Sequence, residues 1–167
     1  MRRVLFYLLL LLSLTGCSDK ELKEEEKVKL ETISCKLINE DPSGYTTSSE
    51  YNINYQDKYV NNVVTVETIT SDSEEFLNNM KEYVSSIYET SNEKYGGYSY
   101  KVERNDNKLI VTVKVDYSKL DLITYMSDQP EFNNYVQDGK FLVSGAIKIY
   151  ESYGAICDNN FYLMYNK

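Results

Sequence analysis

The chain has 167 residues, enough for one ordinary domain with a real core, and a formal net charge of −8. That charge argues against nucleic acid and against electrostatic attraction to anionic lipid headgroups. Histidine is absent, which excludes Ser-His-Asp and Cys-His catalysis, histidine-bound zinc or haem, and a histidine pH switch.

The first element is an export signal. Arg2 and Arg3 make a basic start, Val4 to Leu12 carries no charge, and Ser13 to Gly16 shrinks in side-chain size before a cysteine. The apolar run is shorter than the ~20 residues a membrane-spanning helix needs. A plain secretory signal is the other reading, in which Cys17 is an ordinary cysteine. Leu14-Thr15-Gly16-Cys17 resembles the lipobox of bacterial lipoproteins, whose cysteine is acylated and becomes the new N-terminus. The expected organisation is a signal peptide over 1–16, lipidated Cys17 with a charged flexible tether over 17–29, and a single α+β domain over 30–167. Ser18 to Lys29 is nearly all polar or charged, with no apolar period.

Strands follow the tether. Leu30 to Asn39 is the first, and Asp41-Pro42-Ser43-Gly44 is a turn sequence. In Tyr45 to Tyr55, Tyr51, Ile53 and Tyr55 alternate with Asn52 and Asn54, as in a strand with one wet face. Tyr59 to Thr70 is rich in β-branched residues, and the short links between these strands predict an antiparallel meander.

The period then changes. Ser71-Asp72-Ser73-Glu74 reads as a capping box with Ser71 as N-cap. Phe76, Leu77, Met80, Tyr83, Val84, Ile87 and Tyr88 form one apolar stripe on a long helix that Gly96-Gly97 ends. A hairpin is predicted next, from Tyr98 to Arg104 and from Leu109 to Asp116 around Asn105-Asp106-Asn107-Lys108. Leu120 to Met126 reads as a short helix, Ser127 to Lys140 as a polar loop, and Ser144 to Tyr153 as a helix ended by Gly154. Ile156-Cys157 returns toward the first strand, and Phe161 to Tyr165 reads as an edge strand. The expected fold is α+β: an antiparallel sheet of five or six strands in hairpins, packed against one long and one or two shorter helices.

With Cys17 given to lipid, Cys35 and Cys157 remain, near the two ends of the domain. In an exported chain such a pair defaults to a disulfide, against the alternative of two reduced thiols. Tyrosine occurs 17 times and tryptophan never. Tyr95, Tyr98 and Tyr100 around the glycine pair, with Tyr51 and Tyr55, are the candidate binding surface for sugar or peptide, since tyrosine joins a flat apolar face to a hydroxyl. The competing reading is that they fill the sheet face where Phe and Trp would otherwise stand. Asp116, Asp121, Asp128 and Glu131 invite a carboxylate-pair hydrolase reading. Solvated carboxylates, with Asp121 capping a turn, are the simpler account. Asn105-Asp106-Asn107 offers oxygens to calcium but lacks the glycine and distal glutamate of an EF-hand loop. No phosphate-binding glycine loop follows a strand, and no cofactor is implied.

Several segments together resemble the YehR-like family of small bacterial lipoproteins. The resemblance rests on the lipobox at 14–17 and on the strand ending Thr112-Val113-Lys114-Val115-Asp116-Tyr117-Ser118-Lys119-Leu120-Asp121. It rests also on the terminal helix running into Tyr153-Gly154-Ala155-Ile156-Cys157, and on the long helix between two antiparallel strand groups. It implies an antiparallel sheet backed by helices and carries over no catalytic residue. The expectation is a lipid-anchored protein on the extracytoplasmic face of the cell membrane. It would be a binding or envelope-associated module rather than an enzyme, with a cell-wall component or envelope protein as partner. The alternatives are a receptor for a small ligand or divalent ion, and a carboxylate-based wall hydrolase.

Overall fold

Three long strands joined by tight turns come first: β1 (Glu31–Asp41), β2 (Tyr45–Gln56) and β3 (Tyr59–Ser71). The computed structural model describes residues 30–158, apart from Ser43 and the side chain of Glu131. The signal, Cys17, the tether and the edge strand expected at 161–165 lie outside the described residues. Asp57, with φ 56°, makes the β2–β3 turn in the left-handed region that Asp tolerates better than most residues.

The helix α1 (Glu74–Tyr95) follows, and Gly96 at φ 66° ends it. Its N-cap is Ser73, whose hydroxyl accepts from the Phe76 amide at 3.2 Å. This corrects the expected cap at Ser71. That residue ends β3, and its hydroxyl accepts from the Ser73 amide at 3.2 Å. Two serines two residues apart can both cap, and the length of β3 selects the second. The apolar stripe is also narrower than its sequence period. Leu77 and Val84 are buried with Phe76, Met80 and Tyr88 packed beside them, while Tyr83 (61% exposed) and Ile87 face solvent.

A second hairpin, β4 (Tyr98–Asn105) and β5 (Lys108–Asp116), turns at Asp106-Asn107. The sheet order is β4-β5-β3-β2-β1-β8, antiparallel throughout, with β8 (Ile156–Cys157) on the outer edge of β1. Between β5 and β8 lie α2 (Leu122–Asp128), a 3-10 helix (Pro130–Tyr135) and the strand pair β6 (Val136–Gln137) and β7 (Lys140–Phe141). The helix α3 (Val143–Ser152) completes the connection. The segment expected as an irregular loop is therefore built. Elements of two to six residues leave no periodicity for a sequence to show. Among the described residues no helix is long and apolar enough to cross a membrane.

Cys35 is bonded to Cys157, and the two are also directly opposed in the β1–β8 register. One face of the sheet carries the helices. The other, with Lys36, Glu50, Thr68 and Lys101, carries none among the described residues. The helix-side core has two parts. One gathers Ile33, Ile53, Val63, Phe141, Val143 and Ile147 beneath α3; the other gathers Ile69, Leu77, Val84, Leu109, Val111 and Val113 beneath α1.

Candidate functional site

The gap between those two core clusters is the feature that breaks the pattern. On the helix-covered face, β2 presents Thr47, Ser49 and Tyr51, and β3 presents Thr65 and Glu67, in paired register Thr47↔Ile69, Ser49↔Glu67 and Tyr51↔Thr65. An inward face should be apolar along its whole length. Here it is apolar on both flanks and polar across the middle. The helix α1 packs over β3, β4 and β5, whereas α3 packs over β2, β3 and β8. The two helices therefore flank a shallow valley above this polar strip, of which Ser49 is buried and Thr47, Thr65 and Glu67 are half-buried.

Tyrosines wall the valley. Tyr51 stacks on Tyr150 of α3, ring centroids 4.2 Å apart. On the α1 side Tyr88 lies against Tyr100 at 5.8 Å. Glu67 sits between these walls, close enough for its charge to act on both Tyr51 and Tyr88. Among the described residues it has no hydrogen bond and no ion pair, and burial raises its carboxyl above the ordinary carboxylate range. Burial, more than any neighbour, also raises the hydroxyls of Tyr51, Tyr88, Tyr98 and Tyr150. All four rings are thus neutral at physiological pH, and each hydroxyl remains able to donate a hydrogen bond.

The five tyrosines singled out from sequence separate. Tyr51, Tyr98 and Tyr100 share the helix-side face of the sheet: Tyr51 lines the valley, and Tyr98 and Tyr100 pack into the core beneath α1. The Tyr100 hydroxyl donates to Glu89 at 2.8 Å. Tyr95 leaves the end of α1 edge-on to Tyr125, its hydroxyl donating to Asp128 at 2.6 Å. Tyr55 is only 2% exposed and its hydroxyl donates to Glu31 at 2.8 Å, so its ring is core and not surface. Sequence reading missed Glu67, Tyr88 and Tyr150. The signal for Glu67 was present, because it shares strand parity with buried Val63 and Ile69.

A second concavity lies at the end of the sheet near the β2–β3 turn. It has a volume of about 380 Å³, walled by Tyr59, Tyr117 and Phe141 with Asp57, Asn61 and Lys140 at its rim. Tyr117 stacks on Phe141 at 5.2 Å, and the Tyr59 hydroxyl donates to Asp138 at 2.7 Å. Beside it, across Leu122 and Gly139, is a wider and mostly apolar groove of about 620 Å³ lined also by Ile123, Met126 and Val136.

The acidic residues whose side chains are described each do local structural work; the Glu131 side chain lies outside the described residues. Ser118, by its hydroxyl, and then Lys119 hold the Asp116 carboxyl below its ordinary value. Asp121 is lowered by Thr124 and caps α2 through the Thr124 amide at 3.1 Å. The Lys94 ammonium at 2.6 Å, followed by the Tyr95 hydroxyl, lowers Asp128. A general acid in a hydrolase needs the opposite shift. Asp106 shapes the β4–β5 turn at φ 49°, and its carbonyl accepts from the Arg104 guanidinium at 2.6 Å.

Residues 1–18 match the prokaryotic membrane lipoprotein lipid attachment site. That match supports a lipid anchor in a membrane. It includes Cys17 and the apolar run before it, the segment the sequence pattern singled out. A comparison with curated proteins found no significant match. Among solved structures, an NMR structure of a protein from Streptococcus pneumoniae TIGR4 is similar at 15% identity, covering 82% of this chain and 90% of that one, with a TM-score of 0.49.

Proposed function

We propose that this lipoprotein is an extracytoplasmic binding module of the YehR-like kind, which holds part of an envelope component in the valley between α1 and α3. The observation that carries the reading is the polar strip Ser49, Thr65 and Glu67, set between tyrosine walls where an ordinary core would continue. Flat rings with hydroxyls suit sugar faces and peptide planes. A carboxylate with no partner among the described residues favours a ligand bearing an amine, such as a wall peptide or amino sugar. No covalent step is proposed for the valley, and the protein is read as a binder rather than an enzyme.

The test is the thermal midpoint of the full chain against wall-peptide fragments, amino sugars, neutral oligosaccharides and calcium. A ligand of the native state raises it. Amine-bearing wall fragments are expected to do so, and Glu67→Gln is expected to remove the effect. A rise with neutral oligosaccharides that survives Glu67→Gln would move the site elsewhere. A rise with calcium alone would replace the reading with an ion receptor.

A second reading, a receptor for a small ligand, is favoured by the 380 Å³ cleft with its two aromatic walls. A midpoint rise abolished by Tyr117→Leu but untouched by Glu67→Gln would select it.

A further inference from the structure

We propose that the end of the domain bearing Ile123 rests on the bilayer that holds the lipid anchor. Ile123 is 86% exposed, the highest value among the domain's exposed large hydrophobic residues. It borders the 620 Å³ groove with Leu122, Met126 and Val136. Burial of aliphatic side chains is favourable, and an isoleucine left this bare beside an apolar groove marks a contact surface.

The path of the chain identifies what covers it. Described residues begin at Leu30, which is itself exposed, and only residues 18–29 separate it from the attachment cysteine. Glu31 pairs with Tyr55, so the chain enters at the end of the sheet where the β2–β3 turn lies. At that same end the Tyr117 amide donates to the Asn61 carbonyl at 3.0 Å, and α2 with Ile123 begins five residues later. Gly139 borders both the cleft at this turn and the groove. The entry of the chain at Leu30 and the apolar groove therefore share one end of the domain, and the nearest large apolar phase is the acyl region of the bilayer.

Charge does not drive this contact. Glu31, Asp57, Asp116, Asp121 and Asp138 share the end with Lys58, Lys119 and Lys140, a mixed set with an acidic excess that gives no net attraction to lipid headgroups. One isoleucine and a groove are too little to hold a protein on a membrane alone. With acyl chains already inserted, they need only orient it.

The absence of tryptophan from the sequence makes a clean test. Full-length lipidated protein with Ile123→Trp or Ile38→Trp would be reconstituted in phosphatidylcholine vesicles, plain or brominated in the acyl chains. Ile38 is 73% exposed and lies near the far end of β1, so both sites accept a larger side chain. The expected result is blue-shifted emission from Ile123→Trp that brominated lipid quenches, with red, unquenched emission from Ile38→Trp. Ser127→Trp, on the same groove, should follow Ile123→Trp. Equal quenching at both ends would overturn the proposal, as would no quenching at 123. A blue-shifted but unquenched signal at 123 would also overturn it and assign the groove to another protein surface.

Discussion

Tyr51 and Tyr150 stack with centroids 4.2 Å apart and planes 22° apart, and this pair joins the central strand β2 to α3. Aromatic pairs in this arrangement contribute ~0.5–1.5 kcal/mol beyond the area they bury. A double-mutant cycle of Tyr51→Leu and Tyr150→Leu in urea should return a coupling of about 1 kcal/mol. A coupling indistinguishable from zero would show that the two rings merely share a region.

Glu67 gives the protein an unusual acid-side behaviour. Its pKa is raised in the folded state above the ordinary 4.5. Folding is therefore favoured by protonation: the contribution is full below pH 4.5 and is lost as pH rises through the higher folded value. Glu67→Gln should leave stability unchanged below that window and raise it above, most visibly at neutral pH. Thermal midpoints collected from pH 4 upward check this. A mutant less stable than wild type at neutral pH would mean that the carboxylate has a partner in solution. The lowered Asp116, Asp121 and Asp128 have the opposite sign, adding stability above their ordinary value of 3.8 that disappears on acidification.

The Cys35–Cys157 bridge closes a separation of 122 residues. Loop entropy alone assigns such a closure roughly 4–5 kcal/mol, an upper figure because the reduced chain retains some structure. Cys35→Ala with Cys157→Ala should lower the midpoint sharply, and intact-mass measurement should show two hydrogens gained on reduction. Two free thiols in freshly isolated protein would contradict the bridge.

Ser73, and not Ser71, should behave as the cap of α1. Ser73→Ala is expected to cost ~1 kcal/mol of unfolding free energy. Glu74→Ala should cost little, because the reciprocal half of a capping box is not formed around Ser73. Chemical denaturation of both variants distinguishes the two registers; a larger loss at Glu74 would restore the box.

Gly145 predicts a purely steric failure. A Cβ placed there would overlap the Tyr135 Cβ, where α3 meets the 3-10 helix. Gly145→Ala should cost ~1–3 kcal/mol, the usual range for overpacking. Unchanged stability would mean that the 130–135 segment yields easily, as hydrogen exchange there would also report.

The legible parts of this fold were those with a period. The alternation in Tyr51–Tyr55 and Leu109–Val115, and the three- and four-residue spacing from Phe76 to Tyr88, are direct imprints of strand and helix geometry. Tyr83 and Ile87 misled because a period marks a stripe without fixing its width. Residues 130–141 stayed illegible because two-residue strands and a single 3-10 segment are stabilised by their neighbours. The candidate site was half legible. Abundant tyrosine suggested a surface, but which ring lines a valley and which fills a core depends on where α1 and α3 diverge. Glu67 could have been found by strand parity alone, as the one charged residue between Val63 and Ile69 on the helix-covered face of β3.

The pairing of β1 has a mechanical consequence. Any pull on the anchor enters the fold at Glu31, at one end of a strand whose eleven residues are in register with β2 from Glu31↔Tyr55 to Asp41↔Tyr45. A load applied along that strand strains the whole ladder in shear, so its bonds must fail together and not one at a time. On the opposite side, the covalent tie to Cys157 keeps β1 from sliding out alone. The strand nearest the anchor is thus held on both edges, by a full ladder on one and a covalent tie on the other.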